Sequence, residues 1–150
     1  IYIPVASFIT SYARKKTITT SQTIKDYSKE KYNKDLYVYS DTDSIHCLFP
    51  NGEELKNIIE IDDYKLGAWK EESKFKRGKY LRQKCYIELG LDEKMNVTVA
   101  GLPKKLGNLI TFDNFDIGFT TENIDTDNKK LTYKHVKGGV MLVDTEFSIK

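Results

Sequence analysis

The sequence has few of the features that mark secreted or membrane proteins. Only two cysteines occur, Cys47 and Cys85, and neither has a metal-ligating neighbour, so we expect two free thiols in a reducing cytosol. No apolar run reaches the roughly 20 residues that a membrane helix needs, and no signal-peptide pattern is present. These absences argue against a disulfide framework and predict that the protein has no membrane partner.

Neither sign of charge dominates, because the formal net charge is only +2. The total therefore predicts no particular partner, but the distribution is informative: Lys and Arg are concentrated between Lys70 and Lys84. With 39% hydrophobic and 31% charged residues, the chain is expected to fold as one domain or two small subdomains. Since the chain begins at Ile1 within an apolar pattern, we expect it to be a segment of a longer protein.

The pattern of apolar residues predicts an α+β fold. Pro4 and the helically spaced apolar residues after it predict a helix that runs past Ala13. A polar stretch over residues 28–35 separates this helix from two strands, residues 36–39 and 45–49, which form a hairpin. A short helix over residues 53–60, capped by Asn51, is predicted next. One strand over residues 79–90 and a partner strand over residues 95–99 follow. The rest of the chain is predicted to form a short helix through Lys104 and Lys105 and strands over residues 116–119, 131–136 and 140–143, with a turn at Gly138-Gly139 before the last strand.

Asp41 and Asp43 lie two residues apart in the polar connection of the first hairpin. Two carboxylates held this close repel each other unless a cation compensates their charge. Mg²⁺ prefers oxygen ligands and often binds one or two carboxylates together with substrate phosphates, and two such ions can promote phosphoryl transfer. The alternative is an ordinary polar turn, in which Asp is favoured because its side chain hydrogen-bonds nearby backbone.

A second pattern follows the strand predicted over residues 79–90. Basic residues that alternate with aromatic ones can follow a nucleic-acid backbone, because Lys binds phosphate and Tyr lies against a sugar or base. The alternative is a solvated strand face whose charges discourage edge-to-edge pairing. One predicted face carries Tyr80, Arg82, Lys84, Tyr86 and Glu88, and the other, which should face the core, carries Leu81, Gln83, Cys85, Ile87 and Leu89.

Taken in order, these segments resemble the protein-primed, bacteriophage-type branch of family B DNA polymerases. Residues 39–44 match the family signature Y-x-D-T-D-S, and residues 84–86 match its K-x-Y motif. The other matching segments are Tyr2-Ile3-Pro4, Thr17-Ile18-Thr19, Lys65-Leu66-Gly67, Trp69, Glu72-Ser73, Phe75-Lys76-Arg77, Lys79-Tyr80-Leu81-Arg82-Gln83-Lys84, Ala100-Gly101, Thr111-Phe112, Asn114-Phe115 and Gly138-Gly139-Val140 through Ile149-Lys150.

The resemblance implies a fold and an activity. Residues 1–99 would form the later half of the polymerase palm, an antiparallel sheet with packed helices, and residues 100–150 a small β-rich thumb, with the break at Gly101-Leu102-Pro103. The full-length parent would be a DNA-directed DNA polymerase that adds deoxynucleotides to a primer by two-metal-ion catalysis. Because the family's other metal-binding aspartate lies in an earlier motif, we expect these 150 residues alone to be inactive.

The resemblance also implies roles for single residues. Asp43 and Asp41 would be catalytic ligands of two Mg²⁺ ions, for which Mn²⁺ can substitute, and Tyr39 would contact the nucleotide. Lys84 and Tyr86 would hold the primer end, while Cys85 stands where a close relative is expected to have Thr. Further DNA contacts are expected from Arg82, Lys79, Lys76, Arg77, Lys104 and Lys105.

The expected partners are primer–template DNA and deoxynucleoside triphosphates, and a terminal protein primer is left open. We expect a monomer in the cytoplasm of a bacterial host. The rival interpretation is a non-catalytic nucleic-acid-binding module that carries a polymerase-like hairpin. A structural interaction domain is a third interpretation, which leaves the basic strand unexplained.

Overall fold

The computed structural model describes residues 2–121, 131–144 and 147–150. The chain divides into two compact units, Ile1–Lys74 and Phe75–Lys150. Each unit combines helical segments with antiparallel strand pairs, so the predicted α+β class is confirmed. None of the described helices combines the length and the apolar character that a bilayer crossing requires.

The boundary between the two units lies before the Gly101-Leu102-Pro103 break at which a subdomain boundary was predicted. The reason is that residues on both sides of this break share one core, to which Cys85 contributes from before it and Phe115 from after it. The division into a palm and a thumb at residue 100 stays a prediction, because compact packing units need not coincide with functional subdomains.

The first unit begins with a long helix, α1, which spans Ile3–Tyr32 and has a proline in its first turn. The helix ends at Asn33, which has a left-handed φ of 51° and donates its backbone N–H to the carbonyl of Lys29 at 3.0 Å. The prediction of a polar connection over residues 28–35 is wrong for its first five positions. Packing explains the extension, since the buried residues lie on one face at helical spacing: Thr17, Ser21, Ile24 and Ser28.

The apolar residues that predicted α1 lie near its start and are exposed. Val5, Phe8, Ile9 and Tyr12 are all more than half exposed. Their periodicity therefore predicted the helix correctly, but the face that packs within the first unit lies further along and is mostly polar.

A hairpin follows α1 and contains β1, Tyr37–Asp41, and β2, Ser44–Cys47. The antiparallel pairing confirms the predicted hairpin, but Asp41 pairs with Ser44, so the loop has only two residues. A 3₁₀ helix, Gly52–Glu54, leads into α2, Leu55–Ile58. The predicted cap is confirmed, because Asn51 Oδ1 accepts a hydrogen bond from the Glu53 N–H at 3.1 Å.

The second unit contains a three-stranded antiparallel sheet in the order β3-β4-β5. Its strands are β3, Phe75–Arg82, β4, Cys85–Gly90, and β5, Met95–Val99. The prediction of one strand over residues 79–90 is wrong, because the chain reverses at Gln83 and Lys84, where Arg82 pairs with Cys85. The alternation of apolar residues with basic and aromatic ones continues across this reversal, so the hydrophobic periodicity does not reveal the turn.

One core lies in the second unit and packs on β4. Cys85 and Ile87 are fully buried, as predicted, together with Ile110, Phe115 and Ile149. A 3₁₀ helix, Lys104–Leu109, lies at the predicted short helix. The prediction of a strand over residues 116–119 is wrong: Asp116 Oδ1 accepts from the Ile117 N–H, and Gly118 has a φ of 94°, so the chain turns there.

The last described strands form a separate hairpin. They are β6, Leu131–Val136, and β7, Gly139–Asp144, joined at Lys137 and Gly138. Both strands confirm the prediction. The glycine is required at the turn because Gly138 has a φ of 94°, which other residues rarely adopt.

Candidate metal-binding hairpin and nucleic-acid interface

The turn between β1 and β2 presents two carboxylates. Asp41 is the last residue of β1 and is half-buried, whereas Thr42 and Asp43 form the loop and are exposed. Thr42 Oγ1 donates to Asp41 Oδ1 at 3.1 Å, and Ser44 Oγ donates to the Asp41 carbonyl at 3.1 Å. One hydrogen bond therefore orients the Asp41 carboxylate, whereas Asp43 is exposed.

Helix α1 hydrogen-bonds both to the entry of this hairpin, at Leu36 just before β1, and to its tip, at Thr42 in the turn. Thr17 Oγ1 donates to the Thr42 carbonyl at 2.9 Å, and Ser28 Oγ accepts from the Leu36 N–H at 3.2 Å. At the entry, the Lys25 ammonium lies 4.2 Å from the centre of the Tyr37 ring. Sequence reasoning missed Thr17 and Ser28 as supports of the site. The sequence feature that could have predicted this role is the row of small polar residues at helical spacing on α1.

The donor atoms of the turn fit a hard divalent cation, because both are carboxylate oxygens. Among the side chains that the structure describes, no group of three or more His, Cys, Asp or Glu is arranged to hold a metal ion. Two carboxylates can supply only part of the octahedral oxygen coordination that Mg²⁺ takes. The predicted nucleotide contact, Tyr39, is half-buried in β1, and its ring lies edge-on to that of His46 at 5.3 Å.

Two groups of the first unit, Cys47 in β2 and Glu54 in the first 3₁₀ helix, have shifted pKa values. Burial raises the pKa of the Cys47 thiol to about 11, so the thiol is protonated at neutral pH. Glu54 accepts hydrogen bonds from Tyr32 Oη at 2.7 Å and from Lys31 Nζ at 3.0 Å, and these bonds lower the pKa of its carboxyl group. The Glu54 contacts join the end of α1 to the first 3₁₀ helix.

The β3–β4 turn carries two of the predicted DNA contacts. Arg82 at the end of β3 and Lys84 in the turn are both exposed. Lys84 has a left-handed φ of 56°, and its carbonyl accepts from the Ala100 N–H at 2.8 Å. Lys84 therefore does not lie beside Tyr86 on a strand face, as was predicted, but on the turn that precedes β4.

The Tyr86 ring is fixed by its neighbours on the sheet. Tyr80 and Tyr86 are paired across β3 and β4, and their rings stack with centroids 5.2 Å apart. The Tyr80 hydroxyl donates to the carboxylate of Glu88, a residue that is only 5% exposed. Tyr80 and Tyr86 therefore meet across a strand pair and not along one strand, and Tyr80, bound to Glu88, fixes the position of the Tyr86 ring.

Three predicted DNA contacts have partners within the second unit. Lys76 forms an ion pair with Glu93, and Lys79 Nζ lies 3.5 Å from Asp116 Oδ2. The Arg77 guanidinium lies 4.3 Å from the centre of the Phe112 ring. Part of the positive charge is therefore balanced internally. The backbone of Lys104 and Lys105 is helical, but their side chains lie outside the described residues.

Comparison with known proteins relates the whole chain to one group of enzymes. No protein-family model matches it. The DNA polymerase of Bacillus phage B103 is 39% identical over 169 residues, that of Bacillus phage phi29 is 37% identical over 171, and that of Streptococcus phage Cp-1 is 36% identical over 154. Each match covers 100% of this chain. The chain is a homologue of the phi29-type phage DNA polymerases.

Solved structures agree with this homology. Phi29 DNA polymerase complexed with primer–template DNA superposes with a TM-score of 0.75 at 38% identity, over 99% of this chain and 26% of the polymerase. The same polymerase with primer–template DNA and incoming nucleotides gives a TM-score of 0.70. The resemblance to phage DNA polymerases is thereby confirmed. The chain spans about a quarter of the length of the polymerases that it matches.

Proposed function

We propose that this polymerase homologue contributes the palm hairpin, the primer grip and the thumb of a DNA-directed DNA polymerase. The observation that carries the proposal is the match of the entire chain, at 36–39% identity, to phage DNA polymerases. Within that match, the last two residues of the D-T-D sequence, Thr42 and Asp43, form a turn supported by α1. In this proposal residues 1–99 belong to the palm and residues 100–150 to the thumb.

The carboxylates of Asp41 and Asp43 would hold the divalent ions of nucleotide addition, together with a ligand from elsewhere in the enzyme. Such ions, Mg²⁺ or Mn²⁺, activate an attacking hydroxyl and stabilise charge on a leaving phosphate. Asp41 is the last residue of β1 and Asp43 lies in the turn, so both residues are at the turn end of the hairpin. A cation bound to their carboxylates and to a substrate phosphate would offset the repulsion between the carboxylates. Tyr39, on the same strand as Asp41, would contact the incoming deoxynucleotide.

The proposed primer grip is the end of the β3–β4 hairpin. Lys84 and Arg82 are exposed there and would neutralise primer phosphates, while the stacked ring of Tyr86 offers a flat surface to a sugar or base. Lys76, Lys79 and Arg77 would join them by exchanging an internal partner for phosphate. For Lys76 and Lys79 that exchange costs little, because exposed ion pairs contribute only about 0–1 kcal/mol.

Primer extension by the full gene product that carries these residues tests the proposal. Asp43→Asn should lower extension at least about a hundredfold, because even indirect supports of a metal site cost 10–100-fold, while affinity for primer–template DNA is kept. The matched control is Asp63→Asn, which removes an exposed carboxylate of the same unit outside the hairpin.

Normal extension by the Asp43→Asn enzyme would contradict the metal-site assignment. A wild-type gene product that binds primer–template DNA and does not extend it would instead establish the rival function, a non-catalytic nucleic-acid-binding module. If the enzyme uses a terminal protein as its primer, the same assay with that protein added will show nucleotides joined to one of its hydroxyl groups.

A further inference from the structure

The residue between the two carboxylates has an unusual backbone conformation. Thr42 has a φ of 34°, in the left-handed region that residues other than glycine rarely adopt. A β-branched residue is a particularly poor fit there, because its two γ substituents crowd the backbone. Such a conformation persists only where surrounding contacts hold it, and it is often found at functional sites.

The contact that holds Thr42 comes from α1. The Thr17 hydroxyl lies 2.9 Å from the Thr42 carbonyl and 3.2 Å from the carbonyl of Ala13, one turn earlier on its own helix. A hydroxyl has a single proton, so the shorter contact to Thr42 is the stronger one. Thr17 is only 8% exposed, so water competes poorly for this bond.

Thr42 connects the hydrogen bond from Thr17 to both carboxylate residues. Its own hydroxyl donates to Asp41 Oδ1 at 3.1 Å, and its backbone leads directly into Asp43. If the peptide after Thr42 rotated, Asp43 would move with the chain. If Thr42 left its left-handed φ, its hydroxyl would also move away from the Asp41 carboxylate. A single hydroxyl on α1 is thereby connected to the positions of both proposed metal ligands.

From this geometry we infer that Thr17 is a positioning residue for the metal-binding turn. The inference rests on the proposed function of Asp41 and Asp43, and it assigns to α1 a role in holding the site in its binding conformation. Thr17 itself contacts no metal. Its removal should leave the hairpin paired but allow the turn to sample other conformations, which weakens metal binding by the fraction of time that the turn is displaced.

The test compares two matched threonine-to-valine variants on the same helix. Thr17→Val keeps the β-branched shape and removes the donor, whereas Thr23→Val removes a hydroxyl that donates within α1, to the Thr19 carbonyl at 3.0 Å. Mn²⁺ affinity of the chain, followed by electron paramagnetic resonance of the free ion, should fall about two- to tenfold for Thr17→Val, the equivalent of one hydrogen bond. Thr17→Ser should restore it, and Thr23→Val should leave it unchanged.

Amide hydrogen exchange supplies a readout that is independent of metal. The N–H groups of Asp43 and Ser44 should exchange faster in Thr17→Val than in Thr23→Val. If valine at position 17 disturbs folding, as judged by loss of helical circular dichroism, Thr17→Ala repeats the comparison. Equal Mn²⁺ affinity and equal exchange in the two valine variants would overturn the inference.

Asp43→Asn in the same Mn²⁺ titration distinguishes the positioning role of Thr17 from the proposed metal site itself. If Asp43→Asn weakens Mn²⁺ binding and Thr17→Val does not, the positioning role is wrong and the metal site stands. If Asp43→Asn leaves Mn²⁺ affinity unchanged, the proposed metal site is wrong, and the inference about Thr17 is wrong with it.

Discussion

Replacing Lys84 with glycine should stabilise the second unit while it weakens binding to DNA. Lys84 has a φ of 56°, and a left-handed conformation costs a residue with a side chain about 1–2 kcal/mol. Glycine avoids this cost but loses about 0.5–1 kcal/mol through the greater freedom of the unfolded chain. The difference predicts a gain of about 0.5–1 kcal/mol. The hydrogen bond from the Ala100 N–H is kept, because it uses only the Lys84 carbonyl.

Amide hydrogen exchange in β4 measures this effect within the second unit alone. Gln83→Gly is the matched control, because Gln83 shares the turn but does not have a positive φ. It should destabilise the unit by about 0.5–1 kcal/mol. A loss of stability in Lys84→Gly as large as that in Gln83→Gly would refute the argument that Lys84 is strained.

The same two variants test the proposed primer grip. Lys84→Gly removes a positive charge, so the slope of log affinity for DNA against log salt concentration should fall by roughly one unit. Gln83→Gly should leave that slope unchanged. A Lys84→Gly variant that is more stable and binds DNA normally would show that the strained conformation exists for another reason.

The remaining predictions concern groups that the structure holds in unusual environments. Tyr80→Phe should lower the free energy of unfolding of the second unit by about 1–2 kcal/mol in a urea titration, because it removes a hydrogen bond to the buried Glu88 carboxylate and keeps the stacked ring. Cys47 should react with iodoacetamide at pH 7.5 more slowly than free cysteine, because burial raises its pKa to about 11, and urea should abolish the difference. Glu54 has a lowered pKa in the folded state, so its charged form stabilises the fold above pH 4.5, the ordinary pKa, and this contribution is lost as the pH falls below that value. In Glu54→Gln, the free energy of unfolding should therefore depend less steeply on pH in that range.

Local sequence signals predicted much of the site. The D-T-D sequence between two apolar runs predicted the hairpin that presents Asp41 and Asp43, and alternation predicted that Cys85 and Ile87 would be buried. These succeeded because a hairpin and a strand face are determined by residues that are close in sequence.

Contacts between distant residues were not predictable. Lys76 and Lys79 pair with Glu93 and Asp116, which periodicity cannot reveal, so the sequence predicted more unbalanced positive charge on β3 than the structure has. The turn at Lys84 was missed because a lysine gives no signal for a left-handed φ, unlike glycine or asparagine. The supporting role of Thr17 depends on a fold that brings α1 beside the hairpin tip.

Mapping Mn²⁺ binding by nuclear magnetic resonance tests the central claim most directly. The paramagnetic ion broadens the amide signals of residues near it. At low Mn²⁺ concentration, the amides of residues 41–44 should broaden first, since Asp41 and Asp43 supply the oxygen ligands. Asp43→Asn should remove this selective broadening, and Asp63→Asn should keep it. Broadening that begins elsewhere in the chain, or that survives Asp43→Asn unchanged, would contradict the assignment of the hairpin as a metal site.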